Sequence, residues 1–467
     1  MAAKKKSARS RTTRTSNRKT ATKKTAVRTR ATATAKKAGE TFPRSFLFGT
    51  ATAATQIDGG DVNSDWYQWC ETPGKIADKK TCFTACDHWQ RYDEDFKLMK
   101  SMGHQAYRLG VDWSRFQPAP GAPFDILALE HFRKMLGSLR AKRIRPLLTL
   151  NHFVLPYWWL EKGGWTKAEN LPEFYAFVNF IVEGVGDLVE EYITFNEPNV
   201  YAVLAYMDGR WPPGKRGISG YLNSLRVQRN MLIAHFHAYD RIREIHAAKN
   251  WKHPSISIAK HLRVMDPKDS TNALDLDRAR EADRRFNHVF TDSLHSGCLL
   301  PPLGAEERVH DGQAWDFFGL NYYTRDIISF SLTKPGTLFI KIETHPENPR
   351  NDLQWEIYPE GLFRLLKQTH ERYSLPIRIT ENGIADAVDA RRSQFLMDHL
   401  RQVLRALEAG IPVEGYYHWS FMDNFEWAEG YTARFGLVHV DFESQKRSPR
   451  ESAKLYSKIM RSRKIPD

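Results

Sequence analysis

The chain has 467 residues, of which 41% are hydrophobic and 12% aromatic, enough apolar side chains for a large buried core. Most of its formal net charge of +14 comes from residues 1–40, which hold 14 Lys and Arg and one acid, Glu40, against 55 basic and 54 acidic side chains in the remainder. The balanced charge of the remainder disfavours a nucleic-acid-binding fold, and no apolar run of about 18 residues is present to form a transmembrane helix.

Residues 1–40 consist mainly of Lys, Arg, Ala, Thr and Ser. A segment with so little to bury cannot offset its chain entropy, so the composition predicts a disordered tail. Three interpretations stay open: contact with an anionic polymer or surface, an organelle transit peptide, and no function. The tail lacks the apolar core of a secretory signal, which favours a cytoplasmic location without excluding a transit peptide. The composition changes at Thr41-Phe42-Pro43, which predicts a folded domain over residues 41–467.

From residue 42 onward, eight short apolar runs alternate with stretches of helical periodicity. The predicted strands are Phe46–Gln56, Ala106–Trp113, Ile144–His152, Tyr192–Glu197, Ser255–His261, Phe317–Tyr323, Ile377–Glu381 and Val413–Trp419. Helical spacing is clearest in Tyr92–Met102 and Gln394–Leu407. Strands that alternate with helices form parallel βαβ units, and eight such units predict a single (β/α)8 TIM barrel with long βα loops, an α/β fold.

Polar and aromatic residues stand at the carboxyl ends of six predicted strands. They are Gln56, His152, Asn196 with Glu197, Asn321 with Tyr323, Glu381 with Asn382, and Trp419. Ordinary strand ends favour turn residues such as Gly, Asp or Pro. Because a barrel carries its active site at the carboxyl ends of its strands, the pattern predicts a polar pocket there.

Two of these residues are carboxylates, Glu197 after the fourth strand and Glu381 at the end of the seventh. A pair of carboxylates on either side of a scissile bond is typical of glycoside hydrolysis. One must be protonated to donate to the leaving oxygen and the other ionised to attack, so their surroundings must separate their pKa values. Arg108 and Tyr323 are expected to keep one of the two ionised.

The chain resembles glycoside hydrolase family 1, of the β-glucosidase type, in segments that follow the family's order. They are Phe42–Gln56, Asp87–Tyr92, Tyr107–Arg115, Thr149–His152, Thr194–Pro198, Gly319–Tyr323, Ile379–Gly383 and His418–Trp427. The resemblance extends over about residues 42–460. T-x-N-E-P at 194–198 and I-T-E-N-G at 379–383 are its most specific motifs.

The resemblance implies a role for each matching residue. Glu197 is expected to be the general acid/base and Glu381 the nucleophile of a retaining double displacement. The residues implied in support are Arg108, Asn196, Asn321 and Tyr323. The implied sugar pocket comprises Gln56, His152, Trp419, Glu426 and Trp427, in which hydroxyl pairs meet Gln and Glu and an apolar ring face meets Trp. The expected partner is a small β-glycoside or oligosaccharide, with no cofactor and no metal.

The resemblance also separates branches of the family. Thioglucosidases carry Gln in place of the acid/base, so Glu197 argues against that branch. Phosphoglycosidases lack the carboxylate that stands here at Glu426, and a carboxylate there is expected to repel a 6-phosphate. A neutral glycone is therefore predicted, with glucose favoured and galactose and fucose left open.

Three other features leave alternatives open. Lys260-His261 brings charge to the end of the fifth predicted strand, where the resemblance carries little. Cys82 and Cys86 near His88 have the spacing of half a metal site, but no second ligand pair follows, so ordinary thiols are favoured for these, Cys70 and Cys298. The alternative functions are a transglycosidase that uses the same two carboxylates and a sugar-binding protein tethered through the basic tail.

Overall fold

The computed structural model describes residues 41–466, and the predicted disordered tail, residues 1–40, lies outside the described residues. Eight parallel strands alternate with helices. They are β1 (Leu47–Ala51), β2 (Ala106–Gly110), β3 (Arg145–Asn151), β4 (Glu191–Asn196), β5 (Ser255–Pro267), β6 (Phe318–Phe330), β7 (Ile377–Asn382) and β8 (Val413–Trp419). Each strand pairs with the next, and β8 pairs with β1, so the sheet closes. The predicted (β/α)8 barrel is confirmed.

The strands form because they can be buried on both faces. Every residue of β2, β4 and β7 is buried. Inside the barrel the side chains pack on one another, and outside they meet the surrounding helices, so near-continuous apolar runs are well suited to the strands of a parallel sheet. This explains why strand positions could be predicted from apolar runs alone.

Helices surround the barrel and fill the loops at its carboxyl end. The α-helices are Ala54–Ile57, Asp65–Glu71, His88–Met102, Trp113–Phe116, Ile126–Ala141, Tyr157–Glu161, Leu171–Val185, Pro198–Val203, Gly217–Ala248, Ala273–Asp283, Val289–Ser296, Glu360–Tyr373, Arg392–Glu408 and Glu451–Ser462. Local sequence sets several of their ends. Asp125 accepts a hydrogen bond from the Ala128 amide at 3.0 Å and caps one helix. Gly103, at φ 95°, ends another.

The observed boundaries differ from the predicted ones at the barrel rim. The first strand was predicted to reach Gln56, but β1 ends at Ala51 and Gln56 lies in the one-turn helix Ala54–Ile57. The second was predicted to reach Trp113, where a helix instead begins. Both segments are apolar enough to resemble strands, but they turn away from the sheet because they line the mouth of the barrel.

Strands β5 and β6 are longer than predicted. They run past the rim and stay paired with each other as far as Pro267 and Ile328, and the end of β6 pairs antiparallel with Ile340–Glu343. The extension contains charged residues such as Arg263 and Asp326, which pair with each other. A search for apolar runs therefore does not detect it. No helix within residues 41–466 is long and apolar enough to cross a membrane.

Candidate active site

Glu197 and Glu381 lie at the carboxyl end of the barrel, and both are buried, with 5% and 3% of their surface exposed. Glu381 is part of β7. Glu197 follows β4 directly, in the left-handed region at φ 42°, and its amide donates to the Ala259 carbonyl of β5 at 2.7 Å. This backbone conformation is uncommon for a residue other than glycine, so the neighbouring strand holds Glu197 in place.

Arg108 of β2 contacts Glu381 and Asn196, the residue before Glu197, and is completely buried. Its Nη1 donates to Glu381 Oε1 at 2.5 Å, and its Nη2 donates to the side-chain oxygen of Asn196 at 2.7 Å. Its Nε donates to Thr149 Oγ1 at 3.0 Å. A buried guanidinium is tolerated because every direction of its fork meets an acceptor.

The carboxylates also receive neutral hydrogen bonds. The Tyr323 hydroxyl donates to Glu381 Oε2 at 2.6 Å. The side-chain amide of Asn321 donates to Glu197 Oε1 at 2.8 Å and to Asn196 Oδ1 at 3.1 Å. Of the four residues predicted to support the carboxylates, Arg108, Asn321 and Tyr323 contact a carboxylate directly. The fourth, Asn196, contacts Arg108 and Asn321.

The five predicted sugar-pocket residues form an adjacent wall. Gln56 Nε2 donates to the Phe425 carbonyl at 2.8 Å and to Glu426 Oε2 at 3.3 Å. The His152 ring stacks with Trp419 and Trp427 at centroid distances of 5.8 and 6.0 Å. Carboxyl, amide, imidazole and indole groups thus share one surface, the combination that a pyranose ring requires.

Two buried polar atoms of this wall have no partner among residues 41–466. They are Gln56 Oε1, an acceptor, and His152 Nδ1. The other nitrogen of His152 receives a hydrogen bond from Asn196 Nδ2 at 2.9 Å, so Nδ1 carries the ring proton. Buried polar groups without a partner cost stability unless a ligand bonds to them. A hydroxyl can do so here, since it can donate to Gln56 Oε1 and accept from His152 Nδ1.

Gly383 brings the end of β7 close to the end of β8. A Cβ on Gly383 would lie 1.7 Å from the carbonyl oxygen of Trp419. Only glycine permits this close approach, which brings the end of β7, with Glu381, next to Trp419.

The electrostatics of the pair depend on a third group, His261. The pKa of Glu381 is raised to about 7, because burial and the charge of Glu197 together outweigh the lowering by Arg108. Burial also raises the pKa of Glu197, but a charged His261 and the hydrogen bond from Asn321 outweigh burial and hold it below its ordinary value. With His261 charged, the resting proton would therefore lie on Glu381.

His261 is not charged at neutral pH, because burial lowers its own pKa. A neutral imidazole offers Glu197 a hydrogen bond and no positive charge, so the largest of the effects that lower the pKa of Glu197 is then absent. Arg108 remains as a permanent cation in contact with Glu381. The two carboxyls titrate as a pair, one beside Arg108 and the other beside His261.

One strand-end residue lies outside the pocket. The Asn382 side chain donates to the Tyr322 carbonyl at 2.7 Å and accepts from the Tyr416 hydroxyl at 2.8 Å, which ties β7 to its neighbours. Its place in the predicted polar pocket was wrong, because alternate residues of a strand point to opposite faces.

The cysteine spacing does not assemble a metal site. Cys82 Sγ lies 4.0 Å from Cys70 Sγ, Cys86 Sγ donates to the Asp423 carbonyl, and His88 bonds to Asp95. Among residues 41–466 no group of three His, Cys, Asp or Glu side chains is placed to hold a metal ion.

Two residues at the site were not among the predicted ones. His261 Nδ1 lies 3.1 Å from Glu197 Oε1, and Arg263 contacts the other side of the same ring. The charge of Lys260-His261 at a predicted strand end was the available signal. Both residues belong to β5, whose extension the apolar pattern did not show.

Comparison with known proteins finds similar sequences and structures over most of the chain. The family model described as glycosyl hydrolase family 1 matches residues 38–465. Beta-glucosidase A of Thermotoga maritima is 33% identical over an alignment of 455 positions that covers 91% of this chain and 99% of that protein. A beta-galactosidase of Pyrococcus woesei is 28% identical over an alignment of 495 positions that covers 88% of this chain and 95% of that protein. The solved structure of a beta-glycosidase from Pyrococcus horikoshii superposes with a TM-score of 0.84 at 35% identity, covering 91% of this chain and 96% of that one.

Proposed function

The chain belongs to glycosyl hydrolase family 1 and is a retaining β-glycosidase, and on that premise we propose that Glu381 is its nucleophile and Glu197 its general acid and base. The observation that carries this assignment is the contact of Arg108 with Glu381 at 2.5 Å. A permanently charged guanidinium keeps one carboxylate ionised and leaves the proton of the pair to the other.

The reaction then proceeds in two displacements. A Glu381 oxygen attacks the anomeric carbon while Glu197 donates its proton to the departing glycosidic oxygen, so a covalent glycosyl-enzyme forms as the aglycone leaves. Glu197, now ionised, takes a proton from water, the hydroxyl attacks the anomeric carbon, and the bond to Glu381 breaks. Two inversions give a product with retained configuration. The Asn196 amide is proposed to hold the sugar 2-hydroxyl, a bond that strengthens in the transition state.

The glycone is proposed to be a neutral hexose, with glucose favoured and its C4 epimer accepted. Burial raises the pKa of Glu426 to about 8, and the charge of Glu381 contributes to the rise. Near neutral pH the Glu426 carboxyl is therefore mostly uncharged, and its repulsion of a phosphate is weaker than expected for a carboxylate. The neighbouring carboxylates Glu381 and Glu429 still oppose a dianionic group.

Glu426 provides a test of this glycone assignment. Replacing it with alanine is expected to lower kcat/KM for an aryl β-glucoside by about 100-fold, the usual effect of losing hydrogen bonds to an ionisable group. Glu426 is proposed to bind the sugar 4-hydroxyl, so removing that hydroxyl should cost nothing further in the variant. Glu429→Ala, in the same loop, should behave as wild type. An unchanged penalty for the 4-deoxy substrate in Glu426→Ala would contradict the contact.

The basic segment 1–40 is proposed to be a separate tail that contacts an anionic polymer, with the barrel domain beginning at residue 41. Its 14 basic residues against one acid support this. Deleting residues 1–40 is expected to leave turnover within about twofold, since such a segment offers little to pack against the barrel. DNA retention by the full chain should fall steeply with salt and be lost on deletion. Salt-independent retention, or a loss of thermal stability on deletion, would contradict the assignment.

A cytoplasmic location is proposed from cysteine chemistry. All four cysteines are free thiols, including the neighbouring pair Cys70 and Cys82. Thiols persist in reducing compartments, whereas disulfides form in oxidising ones. Fractionation of cells that express the full-length chain tests this, and recovery in an organelle or an extracellular fraction would contradict it.

A further inference from the structure

His261 is the residue of β5 whose side chain contacts the Glu197 carboxyl. It lies opposite Asn321 in the β5–β6 ladder and is 4% exposed. Its Nδ1 is 3.1 Å from Glu197 Oε1. The mechanism described above needs Glu197 to donate and accept a proton, yet it leaves this buried imidazole without a role.

Arg263 determines which ring nitrogen of His261 carries the proton. Its Nε lies 3.2 Å from His261 Nε2. A guanidinium has donors only, so Nε2 must be the acceptor and Nδ1 must hold the hydrogen. Arg263 is itself held by Asp326, whose two carboxylate oxygens accept from Nη1 at 3.2 and 3.0 Å. His261 therefore donates from Nδ1 to Glu197.

A second guanidinium fixes the other donor to Glu197. Arg108 donates to Asn196 Oδ1, which identifies that atom as the amide oxygen. The atom of Asn321 that faces it must then be the amide nitrogen, and the same nitrogen donates to Glu197 Oε1. Two N–H groups thus converge on Oε1, and no residue within 41–466 donates to Oε2.

A carboxylic acid has one carbonyl oxygen, which accepts hydrogen bonds well, and one hydroxyl oxygen, which carries the proton. With two donors on Oε1, that oxygen takes the carbonyl role and the proton goes to Oε2. We propose that His261, locked in its Nδ1–H tautomer by Arg263, is a positioning residue that keeps the exchangeable proton of Glu197 on Oε2. This inference rests on the proposed acid/base role of Glu197.

The arrangement serves both displacements. In the first, Oε2 presents the proton to the leaving oxygen, and the charge that develops on Glu197 is stabilised by the two donors on Oε1. In the second, Oε2 is the oxygen free to take a proton from water. The alternative tautomer of His261 would turn a lone pair toward Oε1 and draw the proton there, away from the substrate.

Several charged or titratable groups face this pair and contribute to its titration. Those that face Glu197 or His261 from the surrounding strands are Arg108 on β2, Lys260 and Arg263 on β5, Tyr323 on β6 and Glu381 on β7. Burial lowers the pKa of Lys260 well below its usual range, and its Nζ donates to the His261 and Phe286 carbonyls. Arg263 is the only one of these groups that the tests change, so the contribution of the others is constant.

The first test compares His261→Leu with His261→Asn. The asparagine amide reaches the position of Nδ1 and can still donate to Oε1, whereas leucine has a similar shape and no donor. Loss of a donor to the ionised form makes ionisation of Glu197 harder. We expect the basic limb of the kcat/KM–pH profile, measured with a poor leaving group, to move up by about one pH unit in His261→Leu. His261→Asn should keep the wild-type limb.

The second test changes Arg263 in two backgrounds. Arg263→Met frees Nε2 and should lower kcat/KM for a substrate with a poor leaving group about fivefold, with little effect on an activated aryl glycoside. In the His261→Asn background the same substitution should have no such effect, because the asparagine amide has no alternative tautomer for Arg263 to select. Any structural damage from leaving Asp326 without Arg263 is common to both backgrounds.

The outcomes separate the inference from the proposed function. Identical basic limbs in His261→Leu and His261→Asn, or an Arg263→Met loss that is equal in both backgrounds, would overturn the positioning role. If His261→Leu does not fold, the Arg263 comparison alone decides. If Glu197→Ala loses activity equally on poor and activated leaving groups, it is the acid/base assignment itself that fails.

Discussion

Replacing Glu381 with alanine is expected to lower kcat for aryl β-glycosides by about 10⁵-fold or more, because no group remains to form the covalent intermediate. Added azide should restore turnover. In the variant, azide occupies the space of the lost carboxylate and attacks the anomeric carbon, a C–N bond forms, and the aryl oxide leaves. One displacement instead of two gives an α-glycosyl azide, whose inverted configuration can be read by NMR.

The control for this variant removes a carboxylate from the same barrel but away from the pocket. Glu414 lies near the amino end of β8, pairs with Arg378 and is partly exposed. Glu414→Ala should keep wild-type turnover. Because Glu381→Ala also leaves the buried Arg108 without its anion, a stability loss of about 3–5 kcal/mol is expected, and activity should be compared well below the midpoint of thermal unfolding. Retained product from folded Glu381→Ala would rule out the nucleophile assignment.

Replacing Glu197 with alanine is expected to have an effect that depends on the leaving group. Substrates with poor leaving groups need protonation and should lose about 10³-fold in kcat/KM. Dinitrophenyl glycosides leave without a proton, so the glycosyl-enzyme should still form and then accumulate, since no base activates water. A burst of dinitrophenol followed by slow turnover is the expected signature, and azide should speed turnover and give a β-glycosyl azide with retained configuration.

The matched control is Glu190→Ala. Glu190 lies just before the amino end of β4, six residues from Asn196, and pairs with Lys252 at the far side of the barrel. Its replacement should change both substrate classes alike and only slightly. A Glu197→Ala variant that loses poor and activated substrates to the same degree would show that Glu197 does not act as the acid.

The barrel was predictable because a parallel barrel imposes a strong local constraint. Most of each strand is buried on both faces and therefore mainly apolar, and the observed bounds of β8, Val413–Trp419, equal the predicted ones. Glu197 and Glu381 were predictable for a related reason. The carboxyl ends of all parallel strands meet at one face, so polar residues that end separate strands must come together there.

Predictions were weaker wherever a residue's position depends on its partners. Gln56 was expected in a strand and lies in a one-turn helix, because the chain at the rim is shaped by the Asn424–Glu426 loop that Gln56 contacts. Asn382 was expected in the pocket, but its side chain bonds to Tyr322 of β6 and Tyr416 of β8 instead. The resemblance supplied Glu426 and Trp427, but apolar periodicity alone gives no reason to place that loop beside β1.

The amino-acid sequence therefore determines the eight-stranded framework and the reaction class, since both follow from patterns a few residues long that recur at strand ends. Only the tertiary structure decided which groups donate and which accept hydrogen bonds around Glu197. His261, Asn321 and Arg108 are far apart in the chain, and the tautomer of His261 depends on Arg263 and Asp326 meeting across the β5–β6 ladder. Strand register sets which donors reach which oxygen, and register is a property of paired strands that no single segment encodes.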